Sequence, residues 1–122
     1  MKAADLLVAC LEEEGVEYIF GVPGEENADF MLSLAESKKI RFILTRHEQG
    51  AAFMAEVYGR LTGNPAGCLG TLGPGASNLI TGVANANMDR VPMLVLTGQG
   101  STSRLHKESH QIMDVVGMFE PV

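Results

Sequence analysis

Apolar side chains recur along the chain with two alternating periods, and the alternation predicts the architecture. Over residues 3–15, AADLLVACLEEEG, the side chains of Leu6, Leu7, Cys10 and Leu11 keep helical spacing, and Gly15 provides a stop. EYIFGV (17–22) is a short apolar strand. PGEEN then turns into a second helix, about 25–37, whose early acids suit a helix N-terminus. IRFIL (40–44) predicts a second strand, and a third helix follows over about 48–62, with Phe53, Val57 and Leu61 on one stripe. AGCLGT (66–71) predicts strand three, GPGASNLITGVANANM (73–88) helix four, and PMLVLTG (92–98) strand four. Strands separated by helices with short connections imply an α/β fold: a doubly wound, mostly parallel sheet flanked by helices, with right-handed crossovers. The unbroken apolar runs at Ile43–Leu44 and Leu94–Leu96 predict strands covered on both faces. Beyond Gly98 come a polar loop, QGSTSRLHKES, and a weakly helical stretch at 110–119. The final FEPV reads as the entrance to a further element, so a single domain over 1–122, incomplete at its C-terminus, is expected.

Length and charge narrow the function classes. The 122 residues suffice for one small domain, which should bury roughly two-thirds of its unfolded surface. A net charge of −6 argues against nucleic acid or an anionic membrane as partner. Glu12, Glu13, Glu14, Glu17, Glu25, Glu26, Asp29 and Glu36 crowd the first third and are expected on a solvated face. Two isolated cysteines make no disulfide framework, no apolar leader segment stands out, and no apolar run is long enough for a membrane span. A cytoplasmic protein is expected.

From Thr62 to Met88 the chain carries no Asp, Glu, Lys or Arg. A helix without charge on any face is normally covered on more than one side, so helix 73–88 is expected to meet another chain or domain. Ser77, Thr81 and Asn85 would then form a polar, uncharged stripe suited to an interface core. An unusually bland solvent face is the alternative.

The familiar catalytic patterns fit poorly. GTLGPGASN (70–78) places a Gly-rich turn at a helix start, but no Gly-Lys-Ser/Thr follows and Asn78 stands where a dinucleotide fingerprint needs its third Gly. A tight turn permitting close approach explains it better than a phosphate site. His106 and His110 have i,i+4 spacing without an HExxH frame, and a polar loop is the better account than a metal site. Cys68 within a strand reads as core, not nucleophile.

Glu48 remains. A carboxylate there could simply favour the start of helix three, worth about 0.3–1 kcal/mol. Yet Gly50, Ala51, Ala52 and Ala55 leave room for something to press against the helix start, and ligands of doubly wound sheets gather at the carboxyl ends of strands. The loops GVPG, TRHE and TLGPG all leave such ends. A carboxyl shielded from water there could exchange a proton near neutral pH.

FGVPG (20–24), RHEQGAAFMAEVYGRLTG (46–63), TLGPGASNLITGVANANMDRVPMLVLTGQ (71–99) and HQ (110–111) stand in the order and spacing of the pyrimidine-binding domain of thiamine diphosphate enzymes. The chain resembles acetolactate synthases over essentially its whole length, and RLHKESHQ resembles the catabolic, flavin-independent type. The resemblance implies that Glu48 hydrogen-bonds a ring nitrogen of the cofactor's pyrimidine and that Gln111 faces the reacting centre. It implies that Val22, Pro23, Gly24, Thr71 and Asn78 border the pyrimidine. It further implies thiamine diphosphate with Mg2+ as cofactor, held partly outside this chain, FAD being disfavoured. The reaction it implies is decarboxylation of pyruvate and condensation with a second 2-keto acid. A second protomer or a diphosphate-binding domain is expected across helix 73–88, in a homo-dimer or tetramer. Leu72 and Arg90 stand where the family commonly has serine, and His110 and Ile112 flank the glutamine, which argues against the biosynthetic form. No Gly-Asp-Gly with a following asparagine pair is present, so neither the diphosphate site nor a central domain is expected in this chain, which alone should be inactive. Another decarboxylase of the family, acting on a keto acid or oxalyl-CoA, and a non-catalytic assembly module are the alternatives.

Overall fold

The computed structural model describes residues 1–105 and 107–122. Among them, four strands form one all-parallel sheet: β1 (Tyr18–Gly21), β2 (Arg41–Leu44), β3 (Ala66–Gly70) and β4 (Met93–Thr97), in the order β2-β1-β3-β4. Helices α1 (Ala3–Glu13) and α2 (Ala28–Glu36), the latter preceded by a 3-10 turn at Glu25–Asn27, cover one face of the sheet. The other face carries α3 (Glu48–Thr62), the short α4 (Pro74–Ser77), α5 (Ile80–Met88) and α6 (Val115–Phe119).

Two cores result, one per face, because successive strand residues point to opposite sides. Ile19 and Leu69 pack with Val8, Leu11, Val16, Leu34 and Ile40 under α1 and α2. Cys68 and Ala66 pack with Ala51, Ala52, Ala55, Leu79 and Val83 under α3 and α5. Each fully buried Ile19, Leu69 or Leu79 side chain contributes about 1.5–3 kcal/mol by leaving water.

Several expectations change in detail. The buried face of α1 holds Val8 and Leu11, while Leu6 and Leu7 are 52% and 41% exposed and Cys10 is exposed. Consecutive apolar residues cannot share one 3.6-period face, and the i, i+3 pair Val8 and Leu11 takes it. Only β3 is buried along its whole length. Strands β2 and β4 lie at the sheet edges, so their apolar runs are half-covered, and Leu44 is 69% exposed. Helix 73–88 is two helices, broken at Asn78 and Leu79, where the Leu79 amide bonds Ala76 O three residues back. The stretch 110–119 is helical only over Val115–Phe119. His106 lies outside the described residues, and His110 sits exposed in a turn.

The stripe Phe53, Val57 and Leu61 does not face the core. Val57 and Leu61 are 47% and 79% exposed, with Met54 beside them at 49%. The small residues of α3 face inward instead. A β-carbon on Gly82 of α5 would stand 2.5 Å from that of Ala52, so the two helices approach nearly backbone to backbone. That approach requires alanine on one side and glycine on the other.

Candidate functional site

The carboxyl ends of β1, β2 and β3 lie side by side, and the three loops leaving them assemble the candidate site. Glu48 is the first residue of α3. The hydrogen-bonding cap comes from His47, whose Nδ1 accepts the Gln49 amide at 3.1 Å, while Glu48 is the acid of the first turn. The Glu48 side chain turns inward, leaving the residue 8% exposed. Asn78 Nδ2, from the break between α4 and α5, donates to Glu48 Oε2 at 3.0 Å. The helix break frees Asn78 to do so, by ending one helical ladder and starting another at the residue that must reach across.

The other oxygen borders a gap at Gly75. A β-carbon there would come within 3.3 Å of Glu48 Oε1 and 2.8 Å of Thr71 Cγ2, so glycine lets the turn pack this close to the carboxyl, whose Oε1 has no hydrogen bond among the described residues. Thr71, at the end of β3, donates its hydroxyl to Glu26 Oε2 at 2.9 Å. Gly24 packs directly on Thr71, with a would-be β-carbon 2.4 Å from Thr71 Oγ1. Gly24, Thr71, Asn78 and Glu48 are thus brought together. Val22 is half-buried, its amide bonded to Leu69 O at 3.2 Å, which continues the pairing of β1 with β3 into the loop; Pro23 is exposed.

Gln111 arrives by its backbone. Its φ is +53°, in the left-handed region, and its carbonyl packs on Gly73, itself at φ +57°, where a β-carbon would stand 2.7 Å away. A non-glycine residue held there is a mark of local strain, of the kind found at functional sites. The Gln111 side chain is exposed. The small residues of α3 prove to have another purpose than making room for a ligand: Ala51, Ala52 and Ala55 are fully buried against the sheet and α5, and only Gly50 borders open space.

Two residues escaped sequence reasoning. Glu26 is exposed, as expected with Glu25 and Asp29, and what the sequence did not show is its bond to Thr71. Glu56, 3% exposed, receives Arg60 Nε at 2.8 Å, and Arg60 also bonds Asp89 at the end of α5. The Asp89 and Glu56 carboxylates hold the Arg60 guanidinium above its ordinary range. Glu56 and Arg60 have the i,i+4 spacing of a helical ion pair, a signal the sequence did offer, whereas the Glu26–Thr71 and Arg60–Asp89 bonds join distant segments that no spacing announces.

The thiamine pyrophosphate enzyme N-terminal TPP binding domain family matches residues 1–118. The chain belongs to that family. This thiamine pyrophosphate enzyme domain is 43% identical over 121 residues to acetolactate synthase of Bacillus subtilis, covering 99% of the chain and 21% of the relative. It is 48% identical over 119 residues to a catabolic acetolactate synthase of Raoultella terrigena, covering 98% and 21%. Glyoxylate carboligase of Escherichia coli O157:H7 is 43% identical over 123 residues, covering 100% and 21%. The domain spans about a fifth of the length of these relatives. The family binds thiamine pyrophosphate through this domain, and the donor set fits a pyrimidine: a shielded carboxyl with one oxygen held and one open can share a proton with a ring nitrogen.

Proposed function

We propose that the chain is the pyrimidine-binding part of a thiamine diphosphate-dependent enzyme of acetolactate synthase type. Pyruvate is its donor substrate and a second 2-keto acid its acceptor. The observation that carries this reading is the placement of Glu48: buried, bonded by Asn78 through one oxygen and without a hydrogen bond through the other among the described residues. Thiamine diphosphate, when bound, supplies the electron sink for cleaving and forming carbon–carbon bonds beside a keto group. The chain's contribution is to hold one proton. Protonated Glu48 donates to the ring nitrogen through Oε1, and ionised Glu48 accepts that proton back, with Asn78 keeping the carboxyl in one orientation throughout. Val22, Pro23, Gly24 and Thr71 form the wall beside the ring, and Gln111 is directed toward the substrate by its strained backbone. Magnesium and the diphosphate site belong to another part of the protein, and the isolated chain is inactive.

The partner in this reading is a second protomer or a diphosphate-binding domain, as expected across residues 73–88. The exposed apolar residues Val57 and Leu61 of α3 and Met88 of α5 support a wider contact that also covers α3.

The test is Glu48→Gln in the complete enzyme, with the exchange of the bound cofactor's thiazolium proton into deuterated water followed by NMR. A loss of about 10²–10⁴-fold is expected for removing a positioned acid–base group; exchange at the parent rate would overturn the reading. The glyoxylate carboligase likeness keeps a second substrate class in play. Product analysis decides it: acetolactate from pyruvate supports the first reading, and tartronic semialdehyde from glyoxylate the second.

A further inference from the structure

Glu26 has no part in the proton relay, yet its carboxylate takes the Thr71 hydroxyl across 45 residues of chain. Thr71 carries two different groups on its β-carbon, and their placement matters to Glu48. With the hydroxyl bonded to Glu26, the methyl lies toward Gly75. The Thr71 methyl and Glu48 Oε1 therefore border the same small gap, 2.8 and 3.3 Å from the point where a Gly75 β-carbon would be. Rotation of Thr71 χ1 by one staggered well would put the hydroxyl in the place of the methyl. A donor would then lie beside Gly75, on the side where Glu48 Oε1, the oxygen that Asn78 does not bond, also lies. A β-branched side chain has few wells to choose from, so a single hydrogen bond of about 1 kcal/mol can decide between them. Gly24 presses on the hydroxyl side and lets the loop after β1 bring Glu26 within reach.

We propose that Glu26 is a positioning residue: by binding the Thr71 hydroxyl it keeps a competing donor away from Glu48 Oε1, so that this oxygen remains available to a heterocyclic ring nitrogen. The inference rests on the pyrimidine-binding reading above, but the rotamer on which it turns can be observed without any ligand.

The experiment compares the dissociation constant of thiamine diphosphate with magnesium, by calorimetry on the complete enzyme, for the parent, Glu26→Ala, Glu26→Gln, Thr71→Val and the double variant Glu26→Ala/Thr71→Val. Glu26→Ala weakens binding roughly fivefold, and Glu26→Gln, whose amide oxygen still accepts a hydrogen bond, stays within about twofold of the parent. In the Thr71→Val background, where there is no hydroxyl to misplace, Glu26→Ala has no further effect. A crystal structure of the Glu26→Ala protein without cofactor shows the Thr71 hydroxyl turned toward Glu48. The proposal is overturned by an undiminished Glu26→Ala effect in the Thr71→Val background, by glutamine acting as poorly as alanine, or by an unchanged Thr71 rotamer. A parent enzyme that fails to bind the cofactor removes the underlying reading instead, and the parent titration alone reveals that.

Discussion

Replacing Gly82 by alanine sets two known effects against each other, and the structure decides between them. In the interior of an exposed helix, glycine to alanine gains about 1 kcal/mol by restricting the unfolded chain and favouring helical backbone. At Gly82 the added methyl would stand 2.5 Å from the Ala52 β-carbon, and 3.1 Å from both the Ala52 carbonyl carbon and the Phe53 nitrogen. Carbon atoms rest at about 3.5–4.0 Å, so α5 must retreat by about 1 Å. Two of the three obstructing atoms are backbone in a helix whose Ala51, Ala52 and Ala55 are fully buried, so there is no flexible tip to yield. Overpacking of this kind costs about 1–3 kcal/mol, and the retreat also loosens Leu79 and Val83 beneath α5. The net expectation is destabilisation by about 1–2 kcal/mol. Gly50→Ala is the control: its β-carbon meets nothing within 4 Å, so the helical gain of about 0.4–1 kcal/mol should appear undiminished. Urea denaturation of the two variants and the parent measures both. If Gly82→Ala proves as stabilising as Gly50→Ala, the close approach of α3 and α5 is wrong, and with it the geometry that brings Asn78 to Glu48.

Burial pushes the Cys68 thiol up to about 12 from 9.0, while Cys10 is exposed. The folded state therefore keeps a proton that the unfolded state loses above pH 9. The stability this proton confers is complete below pH 9 and falls by about 1.4 kcal/mol per pH unit at most as pH rises toward 12. Cys68→Ala should show a shallower alkaline decline in urea midpoint than the parent, and an equal decline would refute the assignment. Mass spectrometry after alkylation at pH 8 should give one adduct on the native protein and two after unfolding. On α3, Val57→Glu with Leu61→Glu should leave the urea midpoint within about 0.5 kcal/mol of the parent, since both residues are surface positions of the single chain. The same pair should lower the assembly state of the complete enzyme in sedimentation, and unchanged assembly would remove α3 from the contact.

The element order was legible because apolar periodicity changes between helix and strand at nearly every junction, and the short connections leave little choice but a parallel sheet. Coverage was less legible. The run Leu94–Leu96 looks the same in sequence whether β4 is central or at the edge, and strand order is a property of the assembled sheet. Which face of α3 is inward was not legible for a related reason: the stripe Phe53, Val57 and Leu61 does not say what covers it, and the tight approach of α5 reserves the inner face for alanine and glycine. Within the site, Glu48 stood out locally, between a strand and a run of small residues. Glu26 could not, because what distinguishes it from Glu25 is a hydroxyl 45 residues away.

Helix α3 buries two glutamates, and their surroundings differ. Glu56 is neutralised: Arg60 lies one turn on, and Asp89 shares the guanidinium, so its charge fastens α3 to the end of α5. Glu48 has no cation within salt-bridge distance among the described residues. Its one hydrogen bond comes from a neutral amide, and its cap is already supplied by His47. A buried carboxyl so weakly compensated costs stability relative to an apolar side chain of similar size. Nothing in the packing around it, from Ala51 to Gly75, requires a carboxyl there. Local choices that work against the fold in an otherwise consistent sequence concentrate where chemistry is done. On that argument Glu48→Leu should leave the protein at least as stable as the parent, whereas Glu56→Leu, which strands Arg60 beside Asp89 alone, should weaken it. The reverse order in thermal denaturation would make Glu48 a structural residue.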